Sequence, residues 1–146
     1  MTDSMTRSDI EAAIPHRDPF LWLDSVSQID DEKIVAQKTA SESLDVFRGH
    51  YPDFPVLPGV LQLECCFQAS AVLIARTMPT GNDIPVITRV NNVQFRQMIR
   101  PGQTLDIEVE IVDRVSKAYD MKGRVKVDGK VACRVEFVAT AAPRPE

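Results

Sequence analysis

An α+β domain, one long apolar helix held against a curved antiparallel sheet, is the fold class this sequence predicts. Three observations carry it. From Gly59 to about Met78 apolar residues fall on nearly every helical face, so that helix is covered by its own domain or by a partner. The second half of the chain alternates apolar and polar residues over several segments, as half-solvated strands do. Antiparallel strands bury one face, that face needs a cover, and the single long apolar helix is the candidate.

The elements follow in order. Ser8-Asp9 can cap a short helix over Ile10–Ile14, which Pro15 ends. Pro15-His16-Arg17-Asp18-Pro19 then makes a rigid corner, and His16 reads as part of that corner. Phe20–Ile29 reads as a strand, Asp30-Asp31 as a turn, and Lys33–Lys38 as the returning strand of a hairpin. Ser41–Arg48 is polar, with Leu44, Val46 and Phe47 as apolar anchors. The long helix follows the proline-rich stretch Pro52–Pro58, spans roughly 30 Å for about twenty residues, and is stopped by Pro79 and Gly81.

Val86–Val90 leads through Asn91-Asn92 to Val93–Arg96, and Pro101-Gly102 marks a turn. Leu105, Ile107, Val109 and Ile111 alternate with Asp106, Glu108 and Glu110. Tyr119, Met121, Val125 and Val127 alternate with Asp120, Lys122, Arg124 and Lys126. Asp128-Gly129 is a hairpin signal, after which Val131, Cys133, Val135 and Phe137 form the last alternating run. An acidic outer face beside a basic one is the pattern of adjacent antiparallel strands with cross-strand charge pairs. About six strands result. Residues 1–146 read as one domain, with flexible ends at about 1–7 and 141–146.

The 146 residues are 44% hydrophobic and carry a formal net charge of −4. That balance argues against nucleic-acid binding, which calls for a basic face. An acidic macromolecular partner would need a local basic patch. Cys65, Cys66 and Cys133 are odd in number and lack C-x-x-C spacing, so neither a disulfide framework nor a zinc site is expected. No apolar run nears the roughly 18 residues of a membrane span, and the polar Met1–Arg7 has no signal-peptide core. The expected location is the cytoplasm. No metal, cofactor or phosphate loop is called for.

The chemistry-bearing stretch is Gly49–Glu64. It holds one of two histidines, three of ten prolines and two of six glycines. Pro52, Pro55 and Pro58 fix φ and remove donors, so this loop is stiff. His50 lies in it, as either a backbone-satisfied loop histidine or a base near its ordinary range. Glu64 lies in the second turn of a helix too apolar to face water. It is therefore protonated, paired with backbone donors, or lining a cavity where burial suits a general acid. Gln68, four residues on, shares its face, and either orients the carboxylate or satisfies a loop carbonyl. Gly59 opens the helix, where free N–H groups and the dipole favour developing negative charge, or it merely permits a tight turn.

Gly49-His50-Tyr51-Pro52-x-x-Pro55-x-x-Pro58-Gly59-Val60-Leu61-x-Leu63-Glu64 resembles the active-site segment of the 3-hydroxyacyl-[acyl-carrier-protein] dehydratases of FabZ type. Matches also fall at Ile14-Pro15-His16-Arg17-x-Pro19-Phe20-Leu21 with Asp24, at Val93-x-Phe95-Arg96 with Pro101-Gly102, and at Val127–Val131. The resemblance implies a hotdog fold. It implies a homodimer with two shared active sites, often in a trimer of dimers, acting on an acyl carrier protein. It assigns His50 to the C2 proton, Glu64 to the departing 3-hydroxyl and the Gly59 N–H to the thioester carbonyl, with Pro58 and Gln68 in support. Glu64 rather than Asp favours dehydration without isomerisation. Asp53, Gln62, Cys65-Cys66, Gln97-Met98 and Arg100 depart from the usual pattern, and none removes a proposed catalytic group. A hotdog thioesterase and a non-catalytic acyl-binding hotdog protein are the alternatives.

Overall fold

A computed structural model describes residues 3–77 and 83–145. In chain order the elements are β1 (Asp3–Met5), α1 (Arg7–Ala13), β2 (Ser25–Ile29), β3 (Lys33–Thr39), α2 (Val46–Gly49), α3 (Gly59–Thr77), β4 (Asp83–Phe95), β5 (Thr104–Val115), β6 (Ala118–Val127) and β7 (Lys130–Pro143). Seven strands form one antiparallel sheet in the order β1-β2-β3-β5-β6-β7-β4. Helix α3 touches β3, β4, β5, β6 and β7. A sheet that reaches a single helix from five strands is wrapped around it, and this is the hotdog arrangement.

The alternating segments bury the residues expected of them: Leu105, Ile107 and Val109 on β5, Tyr119, Met121 and Val125 on β6, Cys133, Val135 and Phe137 on β7. They meet Cys66, Ala69, Leu73 and Ile74 of α3 in one core. Each large aliphatic side chain fully withdrawn from water there contributes about 1.5–3 kcal/mol. On the outer face Glu108 takes Lys126 at 2.9 Å, Arg124 at 3.3 Å and Lys33 at 3.8 Å, the cross-strand pairing expected. Val127 pairs with Lys130. Asp128 and Gly129 between them have φ of 52° and 78°, as a two-residue turn that matches strand twist requires.

Several expectations are corrected. The first helix begins one turn earlier than Ser8-Asp9 suggests. Thr6 is its N-cap, and Asp9 closes a capping box by accepting from the Thr6 N–H at 2.9 Å. Asp3–Met5 pairs with β2, and Ala141–Pro143 pairs with β4, so neither stretch is a loose end. Phe20–Asp24 is not strand. Leu21, Trp22 and Leu23 are buried there, and the Trp22 N–H is taken by the Gln68 side chain instead of a ladder partner. The two strands expected around Asn91-Asn92 are one strand, β4, whose register slips between Asn91 and Gln94. Asn92 adopts φ 51° in that slip, a conformation Asn tolerates better than most residues. The expected helix end at Met78, Pro79 and Gly81 lies outside the described residues.

Candidate active site

Helix α2 ends on His50, whose backbone N–H donates to the Val46 carbonyl at 3.0 Å. Tyr51 then takes φ 54° and turns the chain sharply into the proline loop. The His50 ring stands edge-on to the Tyr51 ring at 4.8 Å, and its Nδ1 lies 2.8 Å from the Val56 carbonyl oxygen. A carbonyl only accepts, so Nδ1 carries the proton and Nε2 holds a free lone pair. The loop's far end is tied to the connection between β4 and β5 by the buried Leu57, whose N–H donates to Ile99 O at 2.8 Å.

Pro58 hands its carbonyl to the Leu61 and Gln62 N–H groups at 3.0 and 3.4 Å, which starts α3. The Gly59 and Val60 N–H groups find no acceptor among the described residues. That is the polarity a helix N-terminus offers to negative charge. Gly59 does not sit at positive φ, so a tight turn does not explain it. A Cβ there would lie 2.8 Å from the Phe95 ring, and the glycine is what lets β4 deliver that ring against the helix start.

Glu64 sits one turn on, partly shielded. Gln68 is fully buried and bonds both to Glu64 and to backbone groups of the preceding corner. Its Nε2 donates to Glu64 Oε2 at 2.9 Å and to the Phe20 carbonyl at 2.7 Å, while its Oε1 accepts from the Trp22 N–H at 2.7 Å. The amide thus pins the carboxylate to the segment Phe20–Leu23, of which Leu21, Trp22 and Leu23 are buried. The imidazole beside Glu64 in the same chain belongs to His16, with Nε2 4.0 Å from Oε2. The sequence reads His16 as part of a structural corner, and in the fold that corner turns back onto α3, which no local pattern around it signals. His50 and Glu64 make no ion pair or hydrogen bond within one chain.

Cys65 and Cys66 beside Glu64 are free, as is Cys133. Burial pushes the Cys65 thiol up to about 12 and Cys133 to about 11, and raises Cys66 well above the usual thiol range, which leaves all three poor nucleophiles. Among the described residues no group of three or more His, Cys, Asp or Glu is arranged to hold a metal. Nor is any helix there long and apolar enough to cross a membrane. A cavity of about 430 Å³ lies away from these groups, on the charged outer face between Lys33, Glu108, Arg124 and Arg134.

The chain matches the FabA-like domain family over residues 14–136. Among solved structures, a chain of the dehydratase heterocomplex ApeI:P from Xenorhabdus doucetiae superposes with TM-score 0.79 at 19% identity, over 92% of this chain and 91% of that one. A hypothetical thioesterase with coenzyme A from Streptococcus pneumoniae gives 0.64 at 15% identity, over 83% and 90%. At such identities both speak for the fold alone. The sequence relatives are more specific. The 3-hydroxyacyl-[acyl-carrier-protein] dehydratase FabZ of Clostridium perfringens is 37% identical over 92% of this chain and 96% of its own length. That of Magnetococcus marinus is 36% identical over 99% and 97%, and that of Solibacter usitatus 35% over 95% and 86%. The chain belongs to the FabZ family of 3-hydroxyacyl-[acyl-carrier-protein] dehydratases.

Proposed function

We propose that this protein dehydrates (3R)-3-hydroxyacyl-acyl carrier protein to the trans-2-enoyl thioester in fatty-acid or related lipid biosynthesis. The observation that carries the reading is the 2.8 Å contact of His50 Nδ1 with the Val56 carbonyl oxygen, which assigns the ring's tautomer. With Nδ1–H spent on the Val56 carbonyl, Nε2 is a base of fixed direction on a braced loop. It takes the C2 proton. Enolate-like charge on the thioester carbonyl falls to the free Gly59 N–H at the start of α3. The C2 electron pair then forms the C2–C3 double bond as the C3–O bond breaks. Glu64 gives a proton to the leaving oxygen, which departs as water. Exchange with solvent resets both groups. Pro58 supports the site by initiating the helix, and Gln68 by holding the carboxylate.

His50 and Glu64 do not meet within one chain, so the working site is shared in a homodimer, with a trimer of dimers as the larger assembly. The surface supports this. β4 lies at the end of the sheet and pairs only with β7. Val90 and Phe95 on it, and Val60 on α3, are exposed apolar residues, Val60 at 68%. Unbridged cysteines agree with a reducing compartment, and we place the enzyme in the cytoplasm, with acyl carrier protein as its partner.

The test is incubation with a 3-hydroxyacyl carrier protein and with a saturated acyl thioester. Formation of the 2-enoyl product, lost in His50→Ala and in Glu64→Ala, is expected. Thiol release from the saturated substrate would point to a thioesterase, and binding without turnover to an acyl-binding protein. Full dehydration by both variants would overturn the site assignment.

A further inference from the structure

The carboxylate of Glu64 has two oxygens, and the structure treats them differently. Oε2 accepts from Gln68 Nε2 at 2.9 Å and lies 4.0 Å from His16 Nε2. Oε1 takes no hydrogen bond from the described residues. His16 and Glu64 are both shielded, with 29% and 22% of their side-chain surface exposed.

His16 is held where it is by its neighbour. The Arg17 guanidinium donates to the carbonyls of Ile14, His16 and Glu11, each at 2.8 Å. Three charge-assisted bonds to three carbonyls lock the corner that carries the imidazole. The His16 ring has one nitrogen, Nδ1, that is buried and has no hydrogen-bond partner. A proton there would be a buried donor with nothing to donate to, the rarer and costlier kind of unsatisfied group. The neutral ring therefore keeps its proton on Nε2, which faces the carboxylate. At 4.0 Å the contact is longer than a hydrogen bond. Hydrogen bonds around a catalytic group are often long in the free enzyme and tighten when substrate binds.

We propose that His16 is a positioning residue for Glu64: with the Gln68 amide it holds the Oε2 side of the carboxyl, so that Oε1 carries the proton to the departing 3-hydroxyl. This rests on the reading of Glu64 given above. His16 acts through Glu64 and not on the substrate. Its removal leaves substrate binding intact and lets the carboxyl turn, so the loss falls on the chemical step.

The experiment compares kcat, KM and the melting temperature for wild type, His16→Leu, His16→Gln, Glu64→Asp and the double variant His16→Leu/Glu64→Asp, with a 3-hydroxyacyl thioester as substrate. The expected result for His16→Leu is a kcat lower by about tenfold, the size of coupling between groups in direct contact, with KM within twofold. His16→Gln places an amide donor near the same position and recovers most of the rate. Glu64→Asp withdraws the carboxyl by one methylene, so His16→Leu costs little further in that background. Unchanged kcat in His16→Leu overturns the proposal. So does a loss that multiplies undiminished in the Glu64→Asp background, or one that tracks a lowered melting temperature and is not recovered by His16→Gln. If His16→Leu does not fold, a His16→Gln enzyme with wild-type kcat and a His16→Asn enzyme equally active, with no amide reaching Oε2, overturn it too. The two readings fail separately. Full activity in Glu64→Ala removes the assigned role of Glu64 itself, whereas an inactive Glu64→Ala beside indifferent His16 variants removes only the positioning role.

Discussion

Gln68→Leu is the perturbation that separates a structural clamp from a passive buried amide. The side chain is fully buried and makes three bonds, to the Trp22 N–H, the Phe20 carbonyl and Glu64. Leucine fills nearly the same volume, so no sizeable cavity forms. What remains is one backbone donor and one backbone acceptor without partners, in a segment that has no strand ladder to fall back on. Each such group costs about 1–3 kcal/mol when buried and unsatisfied. A loss of about 4 kcal/mol follows, against a total stability of roughly 5–15 kcal/mol for a domain. For a chain of this length each kcal/mol moves the midpoint by about 3 °C, so a drop of about 12 °C is expected. The assay is thermal and urea unfolding at one fixed protein concentration, because self-association shifts midpoints. Gln28→Leu, on the exposed side of β2, is the control and stays within about 0.5 kcal/mol of wild type. A Gln68→Leu midpoint within about 2 °C of that control would refute the reasoning: Phe20–Leu23 would then not depend on α3 for its backbone partners.

Gly123→Ala tests the closest approach of helix to sheet. The added Cβ would lie 2.9 Å from Cys66 Sγ and 3.2 Å from Val135 Cγ1, so about 1–3 kcal/mol of overpacking is expected by urea unfolding. Cys66→Ala should relieve part of that in the double variant. Glu108 predicts a pH dependence. Burial pushes its carboxyl up, but the hydrogen bond from Lys126 and the charges of Lys126, Lys33 and Arg124 outweigh burial and hold it below its ordinary 4.5. A carboxyl depressed on folding stabilises fully above that ordinary value and loses its contribution as pH falls through the depressed one. Glu108→Gln should therefore be less stable than wild type at pH 7, with the gap closing below pH 4.5. A gap constant down to pH 3 would contradict the assignment.

Local signals in the chain were enough to specify much of the fold. Alternation marked β5, β6 and β7 because each has one face in the core and one in water. Asp128-Gly129 named its turn because few other pairs accept two positive φ angles. The apolar circumference of α3 announced a wrapped helix because no solvent-facing helix can afford it. Gln68 was legible as a partner of Glu64, since four residues on a helix is one turn. What the sequence did not disclose depends on contacts between distant segments. Phe20–Asp24 looks like a strand by residue type, but a side chain 46 positions away supplies the partner a strand would have sought. Asp3–Met5 and Ala141–Pro143 look like loose ends until β2 and β4 pair with them. Gly59 carries no special backbone angle, and its need is set by a ring delivered from β4. The sequence by itself determined the residue types, the stiff loop that carries His50 and the helical spacing that sets Gln68 beside Glu64. The tertiary structure alone decided that Nδ1 of His50 is occupied, and that His16, 48 residues before Glu64 in the chain, stands beside it. Both are matters of which atoms meet across the fold, and no local pattern encodes them.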